Sequence, residues 1–195
     1  MFKRRRNKPV ISKKMKLFHG TTVDFDEIDF GFCQIPADFG RGFYMTDDFE
    51  KAKLRAKEKA EWLGLNHYYV IEYEFLDNLA RVSRKVLELK RGPRWVSFII
   101  DCRFYDQCES SDDVIGETHY DHGYSIVIGP SADGDNPDII AKDYGGRVLT
   151  DDDYSRVDEL LGDEPYGTQY VICDERDSRI LIRKVCVHRF WIGGR

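Results

Sequence analysis

The feature that most constrains the fold of this chain is a short strand followed at once by an amphipathic helix, within residues 42–63. Residues 42–46 read GFYMT, a run of apolar and β-prone side chains that predicts a strand. The residues that follow carry apolar side chains at the 3-4-4-3 spacing of one helix face: Phe49, Ala52, Ala56, Ala60 and Leu63. Asp47 with Glu50 fits a variant capping box at the helix start, and Gly64 fits its end.

Other segments show the same two kinds of pattern. Strands are predicted at 16–21, 68–75, 124–129, 167–174 and 179–188, and helices at 93–104 and 150–161. In the helix at 150–161, Leu160 and Leu161 are expected to point inward. Strands dominate the two ends and helices are inserted between them, without a regular β-α-β alternation. The sequence therefore predicts one α+β domain over residues 17–195, preceded by a basic and flexible arm over residues 1–16.

Residues 38–40 spell Asp-Phe-Gly, the metal-binding triplet of protein kinases. A kinase also needs a glycine-rich phosphate loop, a strand lysine and a catalytic loop before that triplet. Only 37 residues precede Asp38, and they contain none of these parts. The glycine spacing likewise fits neither the P-loop nor the dinucleotide fingerprint. We therefore exclude a kinase and interpret Asp38 as a turn residue.

Charge is unevenly distributed between the arm and the domain. Residues 1–16 hold eight Lys and Arg and no acidic residue, while the whole chain has a net charge of −5, which leaves −13 on residues 17–195. Two interpretations of the arm stay open: a solvated tail, or a contact with nucleic acid or an acidic partner. If the partner is nucleic acid, we expect activity to fall with added salt and on deletion of residues 1–14.

The sequence also bears on the cellular compartment. No apolar run approaches the 18 residues of a membrane span, and the basic N-terminus lacks the apolar stretch of a signal peptide. Five cysteines, an odd number without a C-x-x-C pair, favour reduced thiols over a disulfide framework or a tetrahedral zinc site. We therefore expect a cytoplasmic protein with no membrane partner and no metal.

Three short islands occur in a characteristic order. His19-Gly20-Thr21 ends the first predicted strand, Gly40-Arg41-Gly42-Phe43-Tyr44 leads into the strand before the helix, and Thr168-Gln169-Tyr170-Val171-Ile172 lies near the C-terminus. This set resembles the ADP-ribosyltransferase superfamily, in its diphtheria-toxin and poly(ADP-ribose) polymerase clade. A closer resemblance, over roughly residues 17–185, is to an uncharacterised bacterial family of ADP-ribosyltransferase-like proteins.

The resemblance implies an ADP-ribosyltransferase-like split β-sandwich, in which two small sheets face each other around a cleft that holds NAD as co-substrate. It implies a mono-ADP-ribosyltransferase, such as a bacterial toxin or defence effector. The acceptor would be a protein, RNA or single-stranded DNA, and an antitoxin or immunity protein would be a further partner. Cleavage passes through an oxocarbenium-like state, so the site must orient the ribose and stabilise positive charge.

The resemblance also implies roles for individual residues. His19 would bind a ribose hydroxyl, the Gly20 backbone would hold the nicotinamide carboxamide, and the ring of Tyr44 would stack on nicotinamide. Thr21, Arg41 and Gly42 belong to the same cofactor-binding set, with Arg41 directed at the pyrophosphate or the acceptor. Phe43 is expected in the core instead, by strand alternation.

Gln169 stands where many members of the clade carry glutamate. An amide forms hydrogen bonds but has no charge to offset an oxocarbenium ion, so chain elongation is not expected. Glu175 falls on the same face by alternation, but it would lie about 20 Å along an extended strand and is discounted. The second aromatic of the usual nicotinamide sandwich is not identifiable, since Arg55 occupies that region and Trp62 lies two turns further on.

Two rival functions stay open at this point. The first is a catalytically inactive ADP-ribosyltransferase-like module that binds a partner. The second is a metal hydrolase built on His119 and His122, whose H-x-x-H spacing could bind a metal with Asp112, Asp113 and Asp121 nearby. The acidic runs at 133–138 and 151–153 are interpreted as turns or helix starts.

Overall fold

The computed structural model describes residues 14–33, 36–109, 121–132, 137–161 and 167–193. Within these residues the strands are β1 Lys14–Thr21, β2 Phe43–Thr46, β3 His67–Leu76, β4 Val86–Glu88, β5 Ile126–Pro130, β6 Thr168–Ile172 and β7 Ile182–Trp191. The α-helices are α1 Phe49–Trp62, α2 Asp77–Ser83, α3 Pro93–Glu109, α4 Pro137–Tyr144, α5 Asp151–Leu160 and α6 Glu175–Leu181. A single 3-10 turn spans Phe30–Phe32.

The strands form one seven-stranded sheet in the order β4-β5-β6-β2-β1-β3-β7. Neighbouring strands are antiparallel, except that β4 and β5 run parallel. The α+β class predicted from the sequence is therefore confirmed. The sheet is continuous, however, where the sequence led us to expect two separate sheets facing each other.

A weak seam divides this sheet into two halves. β1 and β2 are joined through the single register pair Phe18↔Thr46, whereas β1 and β3 pair along the whole of β1. The rings of Phe75 on β3 and Tyr170 on β6 lie 6.2 Å apart, although β1 and β2 separate their strands. Three strand spacings amount to about 14 Å in a flat sheet. The two halves therefore bend toward each other about the β1–β2 seam.

The concave face of the bent sheet holds what we call the inner core. This cluster is built around the buried side chains of Leu17, Phe43, Ile71, Phe75 and Tyr170, which come from both halves. Phe43 is only 4% exposed, so its expected place in the core is confirmed. Helices α2 and α6 contribute further apolar side chains to this cluster.

The opposite face carries what we call the outer core, which includes Phe39, Trp95, Ile99, Val127 and Val171. Helices α3, α4 and α5 cover this face over the β4-β5-β6-β2 half. Helix α1 packs on the same face over β1 and β3, where Phe49 contacts Phe18 edge to face at 5.3 Å. The helix predicted at 49–63 is thus confirmed, and its small alanines allow close approach to the sheet.

Four local predictions need correction. The strand expected at 179–188 begins only at Ile182, because Asp174 accepts hydrogen bonds from the first amides of α6 and starts a helix there. The N-cap of α1 is Asp48 and not Asp47. Leu160, expected inside, is 37% exposed. The last residues of the expected arm lie in β1, where Lys14 pairs with Glu74.

Candidate functional site

The sheet places Tyr44 and Gln169 on the same face. Tyr44 lies opposite Val171 in the β2–β6 register, and Gln169 lies two residues before Val171 and opposite Thr46. Side chains two residues apart on a strand point to the same side. Both residues therefore lie on the outer-core face of the sheet.

His19 lies on the other face. Because Phe18 is paired with Thr46, it is Phe18 that shares the face of Tyr44 and Gln169, and its neighbour His19 points the opposite way. The imidazole contacts the inner-core residue Phe43, with ring centroids 4.5 Å apart. The structure thus brings Tyr44 and Gln169 to one face, and it places His19 across the seam from them.

His19 nevertheless bridges the two strands at the seam. Its Nδ1 lies 2.7 Å from the carbonyl oxygen of Tyr44. A carbonyl only accepts hydrogen bonds, so Nδ1 carries the proton and donates it. Burial lowers the pKa of His19 to about 4, although the hydrogen bond to Tyr44 opposes this shift. At neutral pH the ring is therefore uncharged, and its Nε2 has a lone pair available for accepting a hydrogen bond.

The hydroxyl of Tyr44 ties down the loop that precedes β2. It accepts a hydrogen bond from the Phe39 amide at 2.9 Å and donates one to the Gly40 carbonyl at 2.7 Å. Burial, with a further contribution from Asp38, raises the pKa of Tyr44 well above its usual value. The phenol therefore stays protonated and holds residues 38–40 next to its own strand.

Gln169 is held by two side chains from different parts of the chain. Its Nε2 donates to Asp38 Oδ2 at 3.2 Å and to Ser131 Oγ at 2.5 Å. Its Oε1 is buried and receives no hydrogen bond from the described part of the chain. Buried acceptors normally have a partner, so an orphaned oxygen at this position is a specific feature to explain.

Asp38 is the centre of this cluster. The residue is only 5% exposed, and its Oδ1 accepts from the guanidinium of Arg103 at 2.5 and 2.9 Å. Its Oδ2 accepts from the Ala132 amide and from Gln169. Arg103 also pairs with Asp138 at 2.6 Å, through Nη1, the guanidinium nitrogen that does not bind Asp38. Asp38 does lie in a turn, as predicted, but its main contacts are to α3, to the segment after β5 and to β6.

Sequence reasoning did not identify Asp38, Arg103 or Ser131 as site residues. Arg103 carried one usable signal, since a basic residue between Cys102 and Phe104 in a largely apolar helix needs an acidic partner if it is buried. Ser131 carried no such signal in the sequence.

The remaining candidates have contacts within the fold. Gly20 faces α1, and a Cβ built there would lie 2.0 Å from the Ala52 carbonyl oxygen. A Cβ on Gly42 would lie 2.5 Å from Val171. Arg41 donates to the Phe30 carbonyl at 2.9 and 3.2 Å, and Thr21 forms an exposed local turn with Val23.

The matched segment of this chain, residues 15–181, spans β1 to the end of α6 and includes every residue of the cluster. It matches the family described as "Protein of unknown function (DUF3990)". The chain belongs to the DUF3990 family. No curated protein matches it.

Two clefts on the described surface of this DUF3990 protein lie away from the cluster. One lies between α3, the segment after α4, and α5, and includes Asp101, Arg147 and Tyr154 in its lining. The other is lined by Arg81, Arg84, Val86 and Glu88. Neither includes His19, Tyr44 or Gln169.

Asp121 and His122 are the residues of the metal-hydrolase alternative that the structure describes. No group of three or more His, Cys, Asp or Glu side chains in the described ranges could hold a metal ion. His122 Nδ1 accepts a hydrogen bond from the Tyr124 amide, and Asp121 accepts one from Gly123. His119, Asp112, Asp113 and residues 133–136 lie outside the described residues.

The structure also shows where Trp62 and Glu175 of the DUF3990 chain lie. Trp62, at the end of α1, is 83% exposed. Glu175 lies in the first turn of α6 and not on the strand of Gln169. Among the described helices, none is both long and apolar enough to cross a bilayer.

Proposed function

We propose that this DUF3990 protein is a mono-ADP-ribosyltransferase, which transfers ADP-ribose from NAD to a protein or nucleic-acid acceptor. In this reaction the bond between C1′ of the ribose and the nicotinamide nitrogen breaks, and nicotinamide leaves with the electron pair. A nucleophile of the acceptor forms the new bond to C1′ and gives up its proton. No metal takes part, and the enzyme acts in the cytoplasm as a toxin or defence effector with its own antitoxin or immunity protein.

The main support for this proposal is the way in which the Gln169 carboxamide is hydrogen-bonded. Its nitrogen donates to Asp38 and Ser131, and its oxygen, on the face of Tyr44, has no donor within the part of the chain that the structure describes. A fixed acceptor of this kind suits a ribose hydroxyl, which must donate a hydrogen bond if it is to be oriented. The nearby ring of Tyr44 suits the flat nicotinamide cation.

The bend in the sheet supports the same proposal. An ADP-ribosyltransferase-like split sandwich requires two half-sheets that separate around a cleft, and here β1 and β2 share only one register pair. In this proposal the ligand lies at the β1–β2 seam, next to residues of both faces. There His19 Nε2 can accept from one ribose hydroxyl, while Gln169 Oε1 accepts from another.

Release of nicotinamide tests the proposal directly. We expect the wild-type protein, incubated with NAD and a cell lysate as acceptor source, to release nicotinamide that chromatography detects. Gln169→Ala should lower the rate about 100-fold, the scale of losing one oriented polar group. Thr168→Ala, a neighbouring change on the opposite face of β6, should retain the wild-type rate. A wild-type protein that releases no nicotinamide above the buffer blank contradicts the proposal.

A non-catalytic binding module is the second candidate, and one observation favours it. The Tyr44 hydroxyl is already hydrogen-bonded to Phe39 and Gly40, and the two described clefts exclude the candidate residues. Calorimetry with NAD separates the two functions. Binding of NAD without nicotinamide release identifies the module, and binding with release identifies the enzyme.

A further inference from the structure

We propose that Asp38 is a positioning residue that fixes the orientation of the Gln169 carboxamide, so that Oε1 faces a ligand hydroxyl. This inference rests on the proposed function and deepens it. It explains how a glutamine works at a position where the related clade often has glutamate, and it assigns a role to a residue that the sequence motif did not include.

The chemistry of Asp38 determines which end of the Gln169 carboxamide faces it. The carboxylate of Asp38, ion-paired with Arg103, only accepts hydrogen bonds, so the amide end that faces Oδ2 at 3.2 Å must be the NH2 group. The second amide hydrogen is directed to Ser131 Oγ at 2.5 Å. A flipped carboxamide would point its oxygen at the Asp38 carboxylate and lose that hydrogen bond, even though the Ser131 hydroxyl could then donate instead. In the observed orientation Oε1 has no donor among the described residues and is left for an external one.

Asp38 is itself held rigidly by its hydrogen bonds. Its carboxylate accepts from Arg103 on α3, from the Ala132 amide after β5 and from Gln169 on β6. The side chain is nearly fully buried. Three separate elements therefore determine where this carboxylate lies, and it can act as a fixed support for Gln169.

The Asp38 carboxylate also favours an uncharged side chain at position 169. A glutamate at position 169 would bring a second carboxylate to within about 3 Å of Asp38, and two like charges at that distance disfavour ionisation of one of them. The resident amide avoids this conflict. In this protein the negative charge is therefore carried by Asp38, one hydrogen bond away from the residue that contacts the ligand.

An exchange of the two side chains tests the inference. Asp38→Asn and Gln169→Glu are made singly and together, and nicotinamide release is followed as kcat and KM. We expect each single change to lower kcat about 10- to 100-fold, as loss of an outer-shell partner does. The double variant restores one carboxylate and one amide in contact, and we expect it to recover at least tenfold over the weaker single variant. Gln169→Glu alone should gain a pH dependence that the wild type lacks.

A matched control separates positioning from the loss of an ion pair. Asp138→Asn also removes a carboxylate from Arg103 but does not contact Gln169. We expect its kcat to stay within about threefold of the wild type, because the Asp138 carboxylate is 45% exposed and forms no hydrogen bond with Gln169. Ser131→Ala gives a second test that leaves the Asp38–Arg103 pair intact, with an expected loss of kcat of about tenfold.

Thermal unfolding of the same proteins shows whether a loss of activity comes from a loss of folding. If Asp38→Asn does not fold, Ser131→Ala and Gln169→Glu carry the test. Folded variants that turn over NAD at the wild-type rate overturn the inference, as does an exchange variant no faster than the weaker single variant. If the wild type neither binds nor cleaves NAD, the proposed function fails first, and with it the assignment of Asp38.

Discussion

Asp38 and Gln169 are 131 positions apart in the sequence and share one hydrogen bond. Each residue separately suggests something ordinary, a turn aspartate and a strand glutamine. Together with Arg103 and Ser131 they form a partly buried polar cluster, in which the Gln169 Oε1 atom has no hydrogen-bond partner among the described residues. A polar cluster stabilises one arrangement of its side chains only when its polar atoms have hydrogen-bond partners. The Gln169 oxygen therefore marks the position where a ligand would supply the missing donor.

At the residue scale, the titration of His19 tests whether its imidazole is held uncharged at the β1–β2 seam. The pKa of His19 is about 4 in the native protein and about 6.5 when unfolded, so the unfolded state takes up the proton first. We therefore expect this residue to lower the free energy of unfolding progressively as pH falls from about 6.5 to about 4, and to contribute no pH dependence above that range. Urea unfolding at pH 7, 5.5 and 4.5 measures the effect.

His19→Asn is the matched variant for that measurement. An asparagine amide can still donate to the Tyr44 carbonyl but does not titrate. Carboxylates that titrate in the same range contribute equally to both proteins. Their contributions therefore cancel when the free energy of unfolding of the variant is subtracted from that of the wild type. Parallel stability profiles for the two proteins would falsify the assignment of a neutral, partly buried His19.

At the scale of single elements, α1 is the helix that the sequence defines best, yet its position depends on one glycine of β1. Gly20 belongs to the His-Gly-Thr island, and its absent side chain is where the Ala52 carbonyl of α1 lies. The glycine therefore has a packing role whether or not its backbone also meets a ligand. The same is true of Gly42, which lies against β6.

We expect Gly20→Ala to destabilise the protein by about 1–3 kcal/mol, the usual cost of overpacking a close contact. The added Cβ would lie 2.0 Å from a backbone oxygen, so α1 has to shift. Gly31→Ala is a suitable control, because its Cβ would meet only the Asp29 side chain at 3.0 Å in an exposed turn. Chemical denaturation compares the two, and equal midpoints would contradict the close approach of α1.

At the scale of the whole molecule, charge separates a basic N-terminal arm from an acidic body. Residues 1–12 carry five Lys and Arg and no acidic residue, whereas β1 begins at Lys14. Lys14 and Lys16 form ion pairs with Glu74 and Glu72 on β3. The charges of Lys14 and Lys16 are therefore partly neutralised. The basic residues within 1–12 are the ones that we expect an anionic acceptor to contact.

Deleting residues 1–12 tests the acceptor class without interrupting β1. If the acceptor is RNA or single-stranded DNA, we expect transfer to fall several-fold on deletion, and the full-length rate to fall between 50 and 200 mM salt, as binding through phosphate contacts does. Incorporation of labelled ADP-ribose reports both effects, and the melting temperature should not change. Salt-independent transfer by the truncated chain rules out this role for the arm.

The sequence by itself determined the α+β class, most of the described strands and half of the described α-helices. These follow from local periodicity and from turn and capping residues, which act within a few positions along the chain. It was weaker where two local signals competed, as at α6, where the Asp174 cap overrides a strand-like run.

Only the tertiary structure decided which face each candidate occupies and what it contacts. The register at Phe18↔Thr46 places His19 on the face opposite Tyr44 and Gln169, and strand pairing of this kind is not encoded within either strand alone. The contacts of Asp38 with Arg103 and Gln169 likewise depend on how α3, β2 and β6 pack. Hydrogen bonds between distant segments form only when the whole chain has folded, because no local pattern specifies both partners at once.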